Sequence, residues 1–237
     1  MRRIPIALVF LLVLALGAAA ALVSARPTSP TSPTSDEGPL PSLTGAPAIG
    51  AIPAEINCTF CHQDFDHPCA PDPCNLNAPG GGVEVLDVPS AYVPGQLYPL
   101  RVRLWSDSTL AVAEPLWGFE MTAIRTLDGV GAGTWEPASL DTFSVLPGTG
   151  FFGTRTYVEQ TFLGARAGLH GQVEWLVPWR APAGAVGDVL FCVAAVAGNG
   201  NDEPGAGDFV YTARATSRVG VVATRAVSWS SLKARYR

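Results

Sequence analysis

Charge is scarce in this chain, and positive charge scarcer. Asp, Glu, Lys and Arg make up 15% of 237 residues, with 15 Lys+Arg against 20 Asp+Glu and a formal net charge of −5. A nucleic-acid binder is normally basic, so that class is disfavoured. Histidine is rarer still, at 3. With no G-x-S-x-G elbow and no H-E-x-x-H pair either, a hydrolase would lack a recognisable base and orienting partner. No long stretch keeps a helical hydrophobic period. Glycine does not recur at every third position, which excludes a collagen-like chain. One apolar run, from Ile4 to Val23, is long enough to span a bilayer.

That run reads as part of a leader. Residues 1–25 join Arg2 and Arg3 to the apolar run and to Val23, Ser24 and Ala25, the pattern of a cleaved signal peptide, with an uncleaved N-terminal anchor as the alternative. Either way the chain is expected to be exported: periplasmic, at the cell surface or extracellular. Losing Arg2 and Arg3 moves the net charge from −5 to −7. Residues 26–43 repeat Pro-Thr-Ser and read as a semi-extended linker. Residues 44–82 form a Cys-rich segment, residues 83–223 a strand-rich domain, and residues 224–237 a basic tail. The tail places Trp229, Leu232 and Tyr236 among Lys233, Arg235 and Arg237, either a frayed terminus or a docking or sorting element.

Gly (25) and Pro (21) are abundant, which suits turns and strands. Tyr98, Leu100, Val102 and Leu104 alternate with Pro99, Arg101 and Arg103, a period of two that buries one face and wets the other. Trp117, Phe119 and Met121 repeat the alternation, as do Val173, Trp175, Val177 and Trp179. Residues 189–197, VLFCVAAVA, are almost continuously apolar, as expected of a central strand covered on both faces. Roughly seven to nine strands at this spacing indicate an all-β, immunoglobulin-like antiparallel β-sandwich preceded by a Cys-rich loop segment.

The chemistry-bearing motif is Cys58-Thr59-Phe60-Cys61-His62, C-x-x-C-H. In c-type haem attachment the two thiols form thioethers with the haem vinyl groups and the histidine becomes the proximal iron ligand. A random shuffle of this composition gives the pattern on the order of once in a thousand sequences, so chance explains it poorly. Rival chemistry exists. Cys58, Cys61, Cys69 and Cys74 could form disulfides or a structural zinc site, although the second pair is spaced C-x4-C where a zinc knuckle has C-x-x-C at both ends. On the haem reading Cys69 and Cys74 pair as a disulfide, and Cys192, in its apolar strand, is a buried free thiol.

A haem iron has a sixth position, for which His67, His170 and Met121 are the candidates. His67 follows His62 by too short a loop to pass the porphyrin edge without strain. His170 sits in a Gly-rich loop, and Met121 alternates with core residues. The loop of residues 199–208 groups Asn199, Asn201, Asp202, Glu203 and Asp208, which could bind calcium through oxygen or simply line a polar hairpin.

Several segments bear a resemblance in their order along the chain: TGAP from Thr44, CTFCH from Cys58, YVPGQLYPLRV from Tyr92, WGFEMTA from Trp117, TYVEQT from Thr156, WRAPAGAVGDVLF from Trp179 and GDFVYT from Gly207. Together they resemble bacterial proteins of the choice-of-anchor V type, a group similar to the reelin-type (reeler) domain. The resemblance implies an exported reeler-type β-sandwich with a haem-c signature ahead of it. Gln160 stands where that group typically shows histidine, and the insert carrying Cys69 and Cys74 lengthens the loop after His62.

Two functions follow as expectations. One is an exported monohaem c-type electron carrier or redox module, with haem c on Cys58 and Cys61, His62 on the iron and a basic redox partner steered by the acidic surface. The other is a disulfide-stapled adhesion or ligand-binding sandwich facing a cell-surface component. Neither is a catalyst, neither binds nucleic acid, and membrane contact is expected only through the leader or the tail.

Overall fold

Alternation of apolar and polar residues decides the architecture, as seen in a computed structural model that describes residues 38–63, 74–201 and 203–220, all within the compact unit Pro33–Arg237. The expected leader, most of the linker, His67, Cys69, Asp202 and the basic tail lie outside the described residues. Strands β1 (Gly81–Leu86), β3 (Leu97–Ser106), β9 (Gly171–Arg180) and β5 (Thr134–Trp135) form one sheet in that order. The larger sheet runs β2 (Ala91–Tyr92), β11 (Phe209–Val219), β10 (Val189–Gly198), β4 (Leu116–Arg125), β7 (Thr156–Gln160) and β6 (Phe143–Pro147), with β8 (Arg166–Ala167) added on β4. Pairing is antiparallel except where β2 meets β11. The chain is therefore the expected all-β sandwich. Its strand count exceeds the expectation through β2, β5 and β8, each a two-residue pairing. Among the described residues no helix is long and apolar enough to cross a membrane.

The inner faces meet in an aromatic core. Leu100, Val102 and Leu104 of β3 and Val173, Trp175, Val177 and Trp179 of β9 are buried against Trp117, Phe119, Met121, Phe191 and Val193. Trp179 lies 4.9 Å from Phe191, edge to face, and Trp175 lies 4.9 Å from Phe119. Buried indoles need an acceptor for their N–H. Trp117 donates to the Leu169 carbonyl at 2.7 Å, Trp175 to Gly164 at 2.8 Å and Trp179 to Ala132 at 2.9 Å. The chain reaches Trp179 through Gly133, at φ +77°, where a Cβ would lie 2.6 Å from the indole nitrogen.

The outer faces differ. That of the smaller sheet is wet: Arg101 pairs with Asp87 and Glu174, and Arg103 with Glu84. That of the larger sheet is dry, with Cys192, Ala194 and Ile124 fully buried. Its cover is the N-terminal segment, whose Ala46 and Cys58 pack on Ile124, Cys192, Ala194 and Val210. Polar contacts seat the same segment. Glu120 on β4 accepts the Ser42 N–H at 2.8 Å and the Leu43 N–H at 3.2 Å. Glu55 accepts from Arg155 Nη1 and from the Tyr157 hydroxyl, each at 2.5 Å, and from Thr44. The Glu55 and Arg155 side chains are both fully buried.

Two stability effects follow. Trp179→Ala lowers the unfolding free energy by about 3–5 kcal/mol, while Trp179→Phe costs about 1–3 kcal/mol because the Ala132 carbonyl loses its donor; urea denaturation measures both, and equal costs would contradict the assignment. Arg155→Met strands the buried Glu55 carboxylate and costs about 3–5 kcal/mol. The double variant Glu55→Gln/Arg155→Met should cost less than Arg155→Met alone, since no uncompensated charge remains.

Candidate functional site

The C-x-x-C-H motif folds as a short 3-10 turn over Cys58–Phe60. Asn57 caps it, its side-chain oxygen accepting the Thr59 N–H at 2.9 Å. Cys58 O then accepts the Cys61 N–H at 3.2 Å and the His62 N–H at 2.9 Å, which winds both thiols and the imidazole into one turn. Both thiols are free. Their settings differ: Cys58 is 6% exposed and walled by Ala194, Val210, Leu76 and Val196, whereas Cys61 is half-buried and Phe60 is exposed.

His62 is held from the far end of the chain. Its Nδ1 lies 2.7 Å from Asp208 Oδ2, and the Asp208 side chain is buried. Asp208 follows the loop after β10. Its Oδ1 accepts the Asn199 N–H at 3.0 Å and its Oδ2 the Gly205 N–H at 3.3 Å. The buried Asn75 side chain clamps the pair from behind, donating to the His62 carbonyl at 2.6 Å and the Asp208 carbonyl at 2.9 Å.

Carboxylates set the electrostatics on the covered face. Glu120 stands directly across from Glu159 in the β4–β7 ladder and from Ala194 in the β4–β10 ladder, and all are buried. Burial pushes the Glu120 carboxyl up to about 8, with Glu55 adding to the rise and the Ser42 and Leu43 N–H groups opposing it. Burial likewise pushes the Cys58 thiol far above its ordinary range, and Glu120 adds to the effect. Seated this way, Cys58 is a thiol and not a nucleophilic thiolate.

The remaining sequence candidates fall elsewhere. Met121 is fully buried between the sheets, beside Val193, while Cys58 packs on Ala194 across the same strand. The larger sheet stands between Met121 and the turn, which corrects its candidacy as the sixth ligand. His170 is exposed and directs Nε2 to the Val112 carbonyl at 2.9 Å. Gln160 accepts the Phe119 N–H at 2.6 Å across the ladder. Cys74 is disulfide-bonded, which removes it from a four-thiolate zinc site; its expected partner Cys69 lies outside the described residues. Among the described residues no group of three or more His, Cys, Asp and Glu side chains could hold a metal ion. Cys192 is a buried free thiol on β10. The candidate calcium loop turns its polar groups on itself: Asn199 Oδ1 accepts the Asn201 N–H, Asn201 Oδ1 accepts the Glu203 N–H, and Asp208 turns inward to His62.

A haem c would need two thiols and an imidazole held close together. The turn gives the order thiol, thiol, imidazole in one compact step. In a neutral imidazole, an Nδ1 contact to a carboxylate leaves Nε2 as the lone-pair nitrogen, the arrangement found behind metal-bound histidines. The wall around Cys58 is aliphatic and closes on the thiol itself. These residues fit the group in chemistry, with the thiol of Cys58 covered in the seated turn.

No family model matches this sequence, and no curated protein matches it. Solved structures give weak likenesses. The human F-spondin reeler domain is 19% identical over 60% of this chain and 88% of that one, with a TM-score of 0.37. A cohesin module from a Clostridium perfringens family 33 glycoside hydrolase is 12% identical over 59% of this chain and 96% of that one, at 0.34. A PapD-like domain of human CEP192 is 15% identical over 67% of this chain and 97% of that one, at 0.33. Each is a likeness of fold, and no role passes to this chain through it.

Glu120 makes stability depend on pH. Between the ordinary carboxyl range and about pH 8 the folded chain holds a proton that the unfolded chain has released. Stability therefore falls as pH rises through that window, by at most about 1.4 kcal/mol per pH unit. Glu120→Gln should flatten this slope in denaturant titrations across the window, and an unchanged slope would place the proton elsewhere.

Proposed function

We propose that this chain is an exported β-sandwich carrying one covalent haem c, linked through Cys58 and Cys61 with His62 as the proximal ligand, and that it works as an electron-transfer or redox module. The observation that carries the reading is the Nδ1 contact of His62 to Asp208 at 2.7 Å within an intact C-x-x-C-H turn. Bound haem supplies one-electron chemistry at iron. The chain's own residues hold it: Cys58 and Cys61 anchor, His62 ligates, and Asp208 orients His62. Because Cys58 is covered once the segment is seated, its modification belongs to a stage before the segment docks on β10. The acidic composition suits a basic redox partner, with association that weakens as salt rises.

Burial of Cys58 favours a second reading, a haem-free exported sandwich that binds a cell-surface component, with the Cys-rich segment serving as the cover of the larger sheet. The readings separate on protein exported through a cytochrome c maturation system. The first expects a c-type pyridine haemochrome signal and a haem-sized gain in intact mass, both lost in Cys58→Ser/Cys61→Ser. Unmodified mass, from a host that loads a control cytochrome, would overturn the first reading and leave the second.

A further inference from the structure

We infer that Asp208 is a positioning residue for His62: it fixes the ring proton on Nδ1 and so presents Nε2 unprotonated, the form in which imidazole binds iron. This rests on the haem reading for the identity of the metal group, while the hydrogen bond itself does not depend on it.

An ionised carboxylate only accepts hydrogen bonds, so the 2.7 Å contact from Oδ2 requires the proton on Nδ1. The carboxylate is fixed before it meets the ring. Asn199 and Gly205 backbone N–H groups occupy it from the loop side, and the Asn75 side chain ties the backbones of Asp208 and His62 together. The loop is closed around this task. Asn199 Nδ2 donates to the Ala206 carbonyl at 3.0 Å, and Gly207, at φ +93°, passes so close that a Cβ there would lie 2.5 Å from the same nitrogen. A loop that merely joined β10 to β11 would not need a buried carboxylate aimed at a residue 146 positions away.

Asp208→Asn separates positioning from stapling. The Asn199 N–H at 3.0 Å is a nearer donor than the Gly205 N–H at 3.3 Å, so the Asn side-chain oxygen keeps the Asn199 contact, and its NH2 replaces Oδ2, gives up the Gly205 contact and donates to His62 Nδ1. The ring proton then has to sit on Nε2, the inversion that the same substitution produces in hydrolase triads. A structural staple would survive the exchange with its geometry intact.

The experiment is nitrogen-15 NMR of His62 in apo full-length protein, at about pH 8.5, above the ordinary imidazole range. The wild type should favour the Nδ1–H tautomer by at least about tenfold, and Asp208→Asn should reverse the ratio. In haem-loaded protein the thioethers should form in both, while the midpoint potential of Asp208→Asn should rise by at least about 59 mV, a tenfold change for a one-electron couple. An Nε2–H tautomer in the wild type overturns the inference, and so does an Asp208→Asn protein with unchanged tautomer ratio and potential. The wild-type measurement needs no variant, so misfolding of Asp208→Asn does not shield the idea. If neither protein takes up haem where a control cytochrome does, the haem reading falls while the tautomer ratio still judges Asp208.

Discussion

A strand that is apolar on both faces needs two partners, and β10 has that demand. Its residues Val189, Phe191, Val193, Ala195 and Ala197 face the sandwich core, while Cys192 and Ala194 are equally buried on the other side. One partner is the smaller sheet. The other has to come from outside the sandwich, because the smaller sheet's own outer face is salt-bridged and wet. The N-terminal segment meets that demand, and in doing so it sets where the C-x-x-C-H turn lies. Cys58 is the residue that touches Ala194 and Val210.

Covering the sheet also buries charge. β4 and β7 direct Glu120, Thr122, Tyr157 and Glu159 to the covered face, and the segment brings Glu55 to join them. Arg155 is the guanidinium that pairs there, with Glu55. An isolated carboxylate at such depth would be strongly disfavoured unless paired, hydrogen-bonded or protonated. Glu55 takes the pairing route, and Glu120 combines backbone N–H donors with a raised affinity for its proton. The same environment keeps the Cys58 thiol protonated.

Much of the fold was legible because period-two patterns act locally. Leu100, Val102 and Leu104 and the Val173 to Trp179 series alternate as sequence arithmetic says they should, and the unbroken apolar run of β10 announced its two dry faces. The C-x-x-C-H turn was equally legible, since all its residues lie within hydrogen-bonding reach along the chain. What stayed hidden was long-range pairing. Glu55 and Arg155 are 100 residues apart and His62 and Asp208 are 146 apart, with nothing in composition or period to join either pair. Asp208 was visible only as one acid in a polar loop, which calcium binding or a plain polar hairpin explained without His62. Met121 misled for the opposite reason: its residue type suited iron, and only the identity of its face decided against it.

The two ends of the motif depend on one hairpin. Cys58 rests on the outer faces of β10 and β11, and His62 is held by Asp208, which ends the loop joining those same strands. Any displacement of the segment from the hairpin would uncover the thiol and release the imidazole together. Rigid placement of a functional group requires support that is itself packed, and here that support is the central strand of the larger sheet and its neighbour. The segment, with its 3-10 turn and isolated bridges at Thr44–Asn57 and Ile49–Ile52, has little regular structure of its own. The order of the site is therefore the order of docking: it is as stable as the contact between segment and hairpin, and local opening of that contact is the motion that would expose Cys58.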